Sequence, residues 1–371
     1  MKKFYPVNIP NVTTNDIKYV SRVMKNSWIS SDGPEVRLFE KKFSKFINKK
    51  YSISVANGTA ALEIAMKAIN IKPGDEVIIP NFTIISNALS VIKLGATPVP
   101  IDCDLKDWNM IVQKIKNKIS NKTKAIIVTH IYGYSNPMDE IKKILKNKKI
   151  IIVEDAAEVI GLKYKNKMCG SFGDISTFSF YANKHITSGE GGMISTNNPI
   201  FKRKCVELRN LCFGKKDRFN HTDIGWNYRI TNIQAAMGLS QLNNINKVIK
   251  KKIDIGKMYY KILSQNKFIY MQPPKGEKSN NIYWVVGIVI LKKNYTAKKL
   301  AKKLNKIGIQ TRPFFYPMNK QSILKNYLNK NKDNFKNSEY LSKYGLYLPS
   351  YFSLKKKDIE WIAKQVNNII C

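Results

Sequence analysis

Apolar runs and amphipathic stretches alternate along the chain from residue 51 to about residue 200. Runs such as YSISVA, DEVIIP, TPVPID, KAIIVTH, KIIIVEDAA and DISTFSF are rich in β-branched residues and predict strands. Stretches such as TAALEIAMKAI, IISNALSVIKLG and MDEIKKILKN carry apolar residues at helical spacing and predict helices. This alternation predicts an α/β fold, in which helices cover both faces of a mostly parallel sheet.

The pattern changes in the last part of the chain. One long helical stretch is predicted from about Thr231 to Leu263. After MQPPKGEKSNN, YWVVGIVIL predicts a strand, TAKKLAKKLNKIG a helix and KKDIEWIAKQVNNII a closing amphipathic helix. We therefore expect a large domain over residues 1–249 and a smaller α+β domain over residues 250–371. A length of 371 residues agrees with two domains.

The chain is strongly basic. It has 64 Lys and Arg against 26 Asp and Glu, a formal charge of +38. Such a charge suits a nucleic-acid or membrane-surface partner. The lysines are scattered over predicted helix surfaces, as in KIKNKISNKTK, and an AT-rich coding genome produces the same richness in Lys, Asn and Ile. We expect no nucleic-acid partner, although a positive field would attract a dianionic nucleotide-type substrate.

Cysteine usage and hydropathy indicate where in the cell the protein is located. With three histidines and no CxxC pair, a zinc site is not expected, and free thiols suit a reducing compartment. The start MKKFYPVNIPNV lacks the apolar core of a signal peptide, and YWVVGIVIL is too short to span a bilayer. We expect a cytoplasmic protein with neither metal nor membrane partner. The cysteines are Cys103, Cys169, Cys205, Cys212 and Cys371.

Two segments place polar residues at strand ends. In VANGTAAL, a strand ends and Asn57, Gly58 and Thr59 open a helix, whose first N–H groups and the Thr59 hydroxyl suit a phosphate. The alternative is a plain helix N-cap. In IIIVEDAAEVIG, Asp155 ends a buried strand at the sheet edge where ligands bind in open α/β sheets. The alternative is a cap for the next helix.

Lys184 has unusual neighbours for a lysine. It follows the aromatic run FSFY, which contains Ser179, and precedes ITSGEGG. Desolvation at such a strand end lowers the pKa of a lysine, and a neutral amine can form an imine with an aldehyde. A phosphate cradle, a strand-end acid and a shielded lysine together match what pyridoxal 5′-phosphate (PLP) needs.

Along nearly its whole length the chain resembles the fold-type I PLP-dependent nucleotide-sugar aminotransferases. The matching segments are WISSDGPEVRLFE, VANGTAALEIAM, GDEVIIPNFT, VEDAAEVIG, GSFGDISTFSFYANKHITSGEGG and GWNYRITNIQAAMGLSQL. The pattern NKxITxGEGG is similar to the subgroup that aminates C4 of 4-keto-6-deoxy sugars, such as perosamine and viosamine synthases. The resemblance implies a seven-stranded sheet in the large domain and transfer of an amino group from L-glutamate to a sugar nucleotide, for polysaccharide biosynthesis.

The resemblance also implies residue roles. Lys184 would hold PLP as an imine and move the proton, and Asp155 would pair with the pyridine nitrogen. Asn227 would reach the cofactor phosphate of a second subunit, which makes the active unit a homodimer. The other cofactor-binding residues would be Asn57, Gly58, Thr59 and Ser179 at the phosphate, and Ile84 and Glu158 at the ring. The substrate-binding residues would be Trp28, Ser30, His185, Arg229, Tyr316 and Asn319.

Several departures and alternatives stay open. Ile84 is aliphatic where many relatives have an aromatic residue, and Asn319 stands where several have His. For His185 and His130, a structural or peripheral role is favoured over a functional one. The alternative activities are amination at C3, C4 amination of a 2-acetamido-2,6-dideoxy-4-ketosugar, or a basic regulator on the same fold. A PLP-dependent dehydratase is a weaker alternative, because related dehydratases have His in place of Lys184. The nucleotide and the sugar stereochemistry stay undecided.

Overall fold

The computed structural model describes residues 3–276, 279–328 and 333–371. Its helices are α1 Thr14–Lys25, α2 Pro34–Ile47, α3 Gly58–Ala68, α4 Ser86–Ile92, α5 Met138–Leu145, α6 Pro199–Arg209, α7 Asn232–Asn243, α8 Ile245–Leu263, α9 Ala297–Lys306, α10 Lys325–Leu328, α11 Lys336–Tyr344 and α12 Lys356–Ile370. Its strands are β1 Tyr51–Val55, β2 Glu76–Pro80, β3 Thr97–Ile101, β4 Thr123–Thr129, β5 Ile151–Asp155, β6 Lys163–Tyr164, β7 Lys167–Met168, β8 Ile175–Ser179, β9 Gly192–Thr196, β10 Ile269–Tyr270, β11 Val286–Ile290, β12 Arg312–Pro313 and β13 Gly345–Leu348.

A seven-stranded sheet organises the first part of the chain, in the order β1-β9-β8-β5-β4-β2-β3. The neighbours from β8 to β3 are parallel, and β9 is antiparallel to both β1 and β8. The mostly parallel sheet predicted from the sequence is confirmed, although β9 was not among the predicted strands. Because β5 and β8 are parallel, their last residues, Asp155 and Ser179, lie at the same edge.

Consecutive residues of the central strands alternate between two hydrophobic cores. Ile78 packs into the core under α2 and α7, whereas its neighbours Val77 and Ile79 pack into the core under α3 and α6. This is the two-residue period of a strand buried on both faces. It explains why the strand segments are continuously apolar in the sequence.

A second sheet, β10-β11-β13-β12, is antiparallel throughout and belongs to the C-terminal part. Its core includes Ile288, Leu300 and Ile362, from β11, α9 and α12. The N-terminal segment joins this core through Tyr5, which also pairs with Ile309. The domain boundary proposed at residue 249 falls inside α8.

The single long helix predicted from about Thr231 is wrong in one respect. It is two helices, α7 and α8, separated at Asn244, whose φ of −105° and ψ of 5° are not helical. The break lies in the sequence LNNIN. Asparagine side chains compete with the backbone for hydrogen bonds and so disfavour helix interiors.

Two further features bear on the sequence-based expectations. The five cysteines all carry free thiols, four of them buried. Within the part of the chain that the structure describes, no helix combines the length and hydropathy needed to cross a bilayer.

Candidate active site

A cavity of about 600 Å³ opens at the carboxyl edge of the seven-stranded sheet. The start of α3, the ends of β5 and β8 and the loop after β8 form one side of it, and the C-terminal part contributes Trp284, Arg312, Phe315 and Tyr347. The structure brings together in this cavity the residues predicted for the cofactor, apart from Asn227. They are Asn57, Gly58, Thr59, Ile84, Asp155, Glu158, Ser179 and Lys184.

The start of α3 packs against the end of β8 and lines the cavity with it. The Asn57 side chain caps the helix by accepting the N–H of Ala60 at 2.8 Å. A methyl group on Gly58 would lie 2.9 Å from Cβ of Ser179, so the helix backbone packs directly on β8. The hydroxyl of Thr59 lies 2.8 Å from that of Ser86, which also lines the cavity. Hydroxyls at a helix N-terminus suit a phosphate dianion.

Asp155 lies deeper in the site, 3% exposed. Its Oδ2 accepts the side-chain N–H of Asn87 at 3.1 Å, and its Oδ1 accepts the N–H of Ala157 at 3.2 Å. The Thr129 hydroxyl orients the Asn87 amide by donating to Oδ1 at 2.8 Å. Burial raises the pKa of Asp155, while these hydrogen bonds and Lys184 oppose the rise. A cation placed against this carboxylate would compensate its desolvation, which fits a protonated pyridine ring.

The half-buried Lys184 reaches the same cavity from the loop after β8. Its Nζ lies 3.5 Å from the ring centroid of Trp284. Desolvation lowers the pKa of Lys184, and the nearby carboxylates of Glu158 and Asp155 oppose that shift. A lysine with a lowered pKa supplies the neutral amine that attacks a carbonyl carbon.

Glu158 is the second buried acid of the site, 4% exposed. Its Oε2 accepts the backbone N–H of Tyr132 at 2.8 Å. Burial raises the pKa of Glu158 to about 8, against the opposing effects of Lys184 and the Tyr132 hydrogen bond. At neutral pH this side chain therefore holds a proton close to Lys184.

None of the six residues predicted for the substrate lines the cavity. His185 is buried, with Nε2 3.3 Å from the carbonyl oxygen of Ile282. Burial and the charge of Lys252 lower the pKa of His185 to about 3, so its ring stays neutral. The Asn319 amide donates to Glu339 at 2.8 Å and accepts from Asn81 at 2.9 Å, away from the cavity wall.

Of the remaining predicted residues, all but the half-buried Arg229 lie at the surface. Trp28, Ser30, Tyr316 and Asn227 are exposed, and Arg229 donates to the Asn210 side chain at 2.7 Å. His130 is buried with Nε2 3.0 Å from Oε1 of Glu154. Glu154 precedes Asp155 on β5, so the two carboxylates point to opposite faces of the sheet.

The structure adds site residues that sequence reasoning did not single out. Ser86 and Asn87 begin α4, and the only signal for them was their place after a predicted strand. Trp284 lies in YWVVGIVIL, where its apolar neighbours indicated only a strand. Tyr132 and Arg312 became relevant only once the two sheets were placed side by side.

The architecture and this site define the class of protein, which is a PLP-dependent aminotransferase. Residues 10–367 match the DegT/DnrJ/EryC1/StrS aminotransferase family, and the chain belongs to that family. The α/β fold, the enzyme class and the cofactor predicted from the sequence are confirmed.

Two relatives and one solved structure show the extent of the similarity. GDP-perosamine synthase of Escherichia coli O157:H7 is 37% identical over 369 residues, 98% of each chain. GDP-perosamine synthase of Vibrio cholerae is 35% identical over 366 residues, again 98% of each chain. The structure of Helicobacter pylori PseC, an aminotransferase involved in the biosynthesis of pseudoaminic acid, has a TM-score of 0.92 at 26% identity and covers 99% of both chains.

Proposed function

We propose that the protein transfers an amino group from L-glutamate to C4 of a GDP-linked 4-keto-6-deoxyhexose, which gives a 4-amino-4,6-dideoxy sugar nucleotide of the perosamine type. One observation carries the proposal: Lys184, Asp155 and the start of α3 line a single cavity. Full-length identity of 35–37% to GDP-perosamine synthases supports the position of amination and the nucleotide.

The residues of the cavity fit the cofactor. The N–H groups at Gly58 and Thr59, with the hydroxyls of Thr59 and Ser179, would hold the phosphate, and the carboxylate of Asp155 would hold the proton on the ring nitrogen. When bound, PLP supplies an aldehyde that takes up the donor's nitrogen and a ring that withdraws electrons from the adjacent carbon.

Lys184 is the group that moves protons in this proposal. Its Nζ would bind the cofactor covalently. Once released, it would take the proton from the donor carbon that carries the nitrogen and deliver it to the cofactor carbon bonded to the same nitrogen. A positioned base of this kind contributes roughly 10²–10⁴ in rate. The neighbouring Glu158, which is protonated at neutral pH because burial raises its pKa, adds no second negative charge beside Asp155.

A second copy of the chain would complete the site. Ile84 and Tyr181 line the cavity and are still 47% and 43% exposed. Phe219 and Ile224, in the segment that precedes Asn227, are 77% and 80% exposed. Large apolar side chains exposed around a site suit a subunit interface. We propose a homodimer in which Asn227 serves the partner's cofactor phosphate.

The exposed side chains of Trp28, Ser30 and Tyr316, with the half-buried Arg229, would bind the sugar nucleotide. Arg312 is exposed on the cavity wall and offers a cation to the diphosphate or to a carboxylate. The formal charge of +38 would favour the approach of such an anion. A location in the cytoplasm is the matching proposal for an enzyme with free thiols.

The test is incubation of purified protein with L-glutamate and a panel of GDP-, dTDP- and UDP-linked 4-keto-6-deoxy sugars. We expect an amino product only from the GDP sugar, with NMR placing nitrogen at C4. Amination at C3, or preference for a 2-acetamido sugar, would overturn the proposal. Borohydride reduction should fix the cofactor to Lys184 and leave Lys252, another buried lysine, unmodified.

A further inference from the structure

The contact between Lys184 and Trp284 is unusually close for a cation and an aromatic ring. Nζ lies 3.5 Å from the ring centroid, whereas the other lysine and arginine pairs of this kind in the described residues lie at 4.9 Å or more. An ammonium over a tryptophan face is attracted by the ring quadrupole, and the attraction grows when the pair is desolvated. Trp284 is 6% exposed, so its ring is shielded from water, whereas Lys184 is half-buried.

Trp284 is held in a fixed place relative to Lys184. Its indole N–H donates to the carbonyl oxygen of Asn183, the residue before Lys184, at 2.9 Å. Its ring also packs against Tyr132 at 5.8 Å between centroids, and the Tyr132 N–H donates to Glu158. One side chain from the segment before β11 therefore touches the backbone and the amine of the loop after β8.

We propose that Trp284 is a positioning residue that holds the amine of Lys184 against its ring whenever the amine is not bonded to the cofactor. The inference rests on the proposed role of Lys184. A long lysine side chain has many rotamers, and a defined resting place beside the reaction centre keeps the amine within reach of the atoms it must serve. The carboxyl groups of Asp155 and Glu158 also lie near the amine, but neither forms a hydrogen bond to it in this structure.

The test is the proton affinity of Lys184 in full-length protein freed of cofactor with hydroxylamine. The pH dependence of its reaction with trace acetic anhydride, read by peptide mass spectrometry, gives its pKa. Because the ring stabilises the charged form, Trp284→Leu should lower the pKa of Lys184 by about half a unit to one unit. Trp284→Phe keeps a weaker ring and should lower it less. Lys67, whose Nζ lies 5.7 Å from the ring centroid of Trp226, is the internal reference, and its reactivity should not change.

An unchanged or higher pKa of Lys184 in Trp284→Leu would overturn the proposal, because Trp284 would then only fill space. If that variant does not fold, Trp284→Phe decides alone: no decrease overturns the proposal. The measurement uses no substrate. A failure to aminate the GDP sugar would therefore contradict the proposed function and leave the role of Trp284 unaffected. An unchanged pKa of Lys184 would contradict the role of Trp284 and leave the proposed function unaffected.

Discussion

Asn87 donates its side-chain N–H to Oδ2 of Asp155 at 3.1 Å, from a helix to the end of a buried strand. The two residues are 68 positions apart in the chain, and both are almost fully buried. This hydrogen bond stabilises the ionised form of a carboxylate whose pKa burial raises. Asn87 thus keeps Asp155 able to bind a cation.

Replacing Asn87 by leucine tests this relationship. The substitution removes a hydrogen bond to a charged group, worth about 1.5–3 kcal/mol, so the Kd for PLP should rise about tenfold or more. Titration of cofactor-free protein with PLP, followed by absorbance, measures this Kd. Thr129→Val removes only the hydroxyl that orients the Asn87 amide and leaves the Asn87–Asp155 hydrogen bond possible, so it should raise the Kd less than Asn87→Leu does. Wild-type affinity in Asn87→Leu would contradict the role given to Asp155.

Substitution of Gly58 by alanine tests the phosphate cradle. The added methyl would lie 2.9 Å from Cβ and 3.3 Å from Oγ of Ser179, which forces the start of α3 away from β8. Overpacking of this kind costs about 1–3 kcal/mol, so the Kd for PLP should rise roughly tenfold. Ser179→Ala removes one hydroxyl without a clash and should have a smaller effect. Normal PLP binding by Gly58→Ala would show that the phosphate does not bind at the start of α3.

The raised pKa of Glu158 predicts how the free energy of unfolding depends on pH. The folded carboxyl keeps its proton up to about pH 8, whereas its ordinary pKa is 4.5. Between these values the folded protein binds more protons than the unfolded chain, so stability falls as pH rises, by at most about 1.4 kcal/mol per pH unit. Glu158→Gln keeps an acceptor for the Tyr132 N–H and should lose this dependence.

Urea unfolding of cofactor-free protein across this pH range compares the two chains. Glu158 also raises the pKa of Lys184, so the substitution lowers that pKa and favours the variant further at higher pH. Both effects have the same sign. The advantage of Glu158→Gln over the wild type should therefore grow with pH. Parallel pH curves for the two proteins would show that Glu158 is ionised throughout.

Mixed subunits test the proposed dimer. Lys184→Ala and Asn227→Asp should each be nearly inactive, one without its amine and the other with a negative charge beside the partner's phosphate. If each site combines Lys184 of one subunit with Asn227 of the other, a refolded mixture should regain about a quarter of wild-type activity. A mixture of wild type with the double variant is the control. Its hybrids would carry no intact site, so only its wild-type homodimers, about a quarter of the dimers, should be active. No recovery would contradict a shared site.

The sequence pattern was sufficient for the large sheet and for the residues at its edge. Strand segments such as VII of β2 and AIIV of β4 are apolar at every position because both faces of the sheet are covered, and this made them recognisable in the sequence. Strand β9 was missed, since GMIST follows a glycine-rich turn and itself begins with glycine. The break between α7 and α8 was missed because the apolar period continues through Asn244.

By itself the sequence determined most of the strands and helices and the polar residues at the strand ends, because periodicity and turn chemistry act over a few neighbouring residues. The aminotransferase resemblance came from its motifs. Only the tertiary structure decided that Asn87 supports Asp155, that Trp284 lies over Lys184 and that His185 is buried outside the cavity. Contacts and desolvation depend on groups brought together from distant parts of the chain. No local pattern encodes how deeply a carboxylate or an amine is buried, and burial is what sets the pKa values of this site.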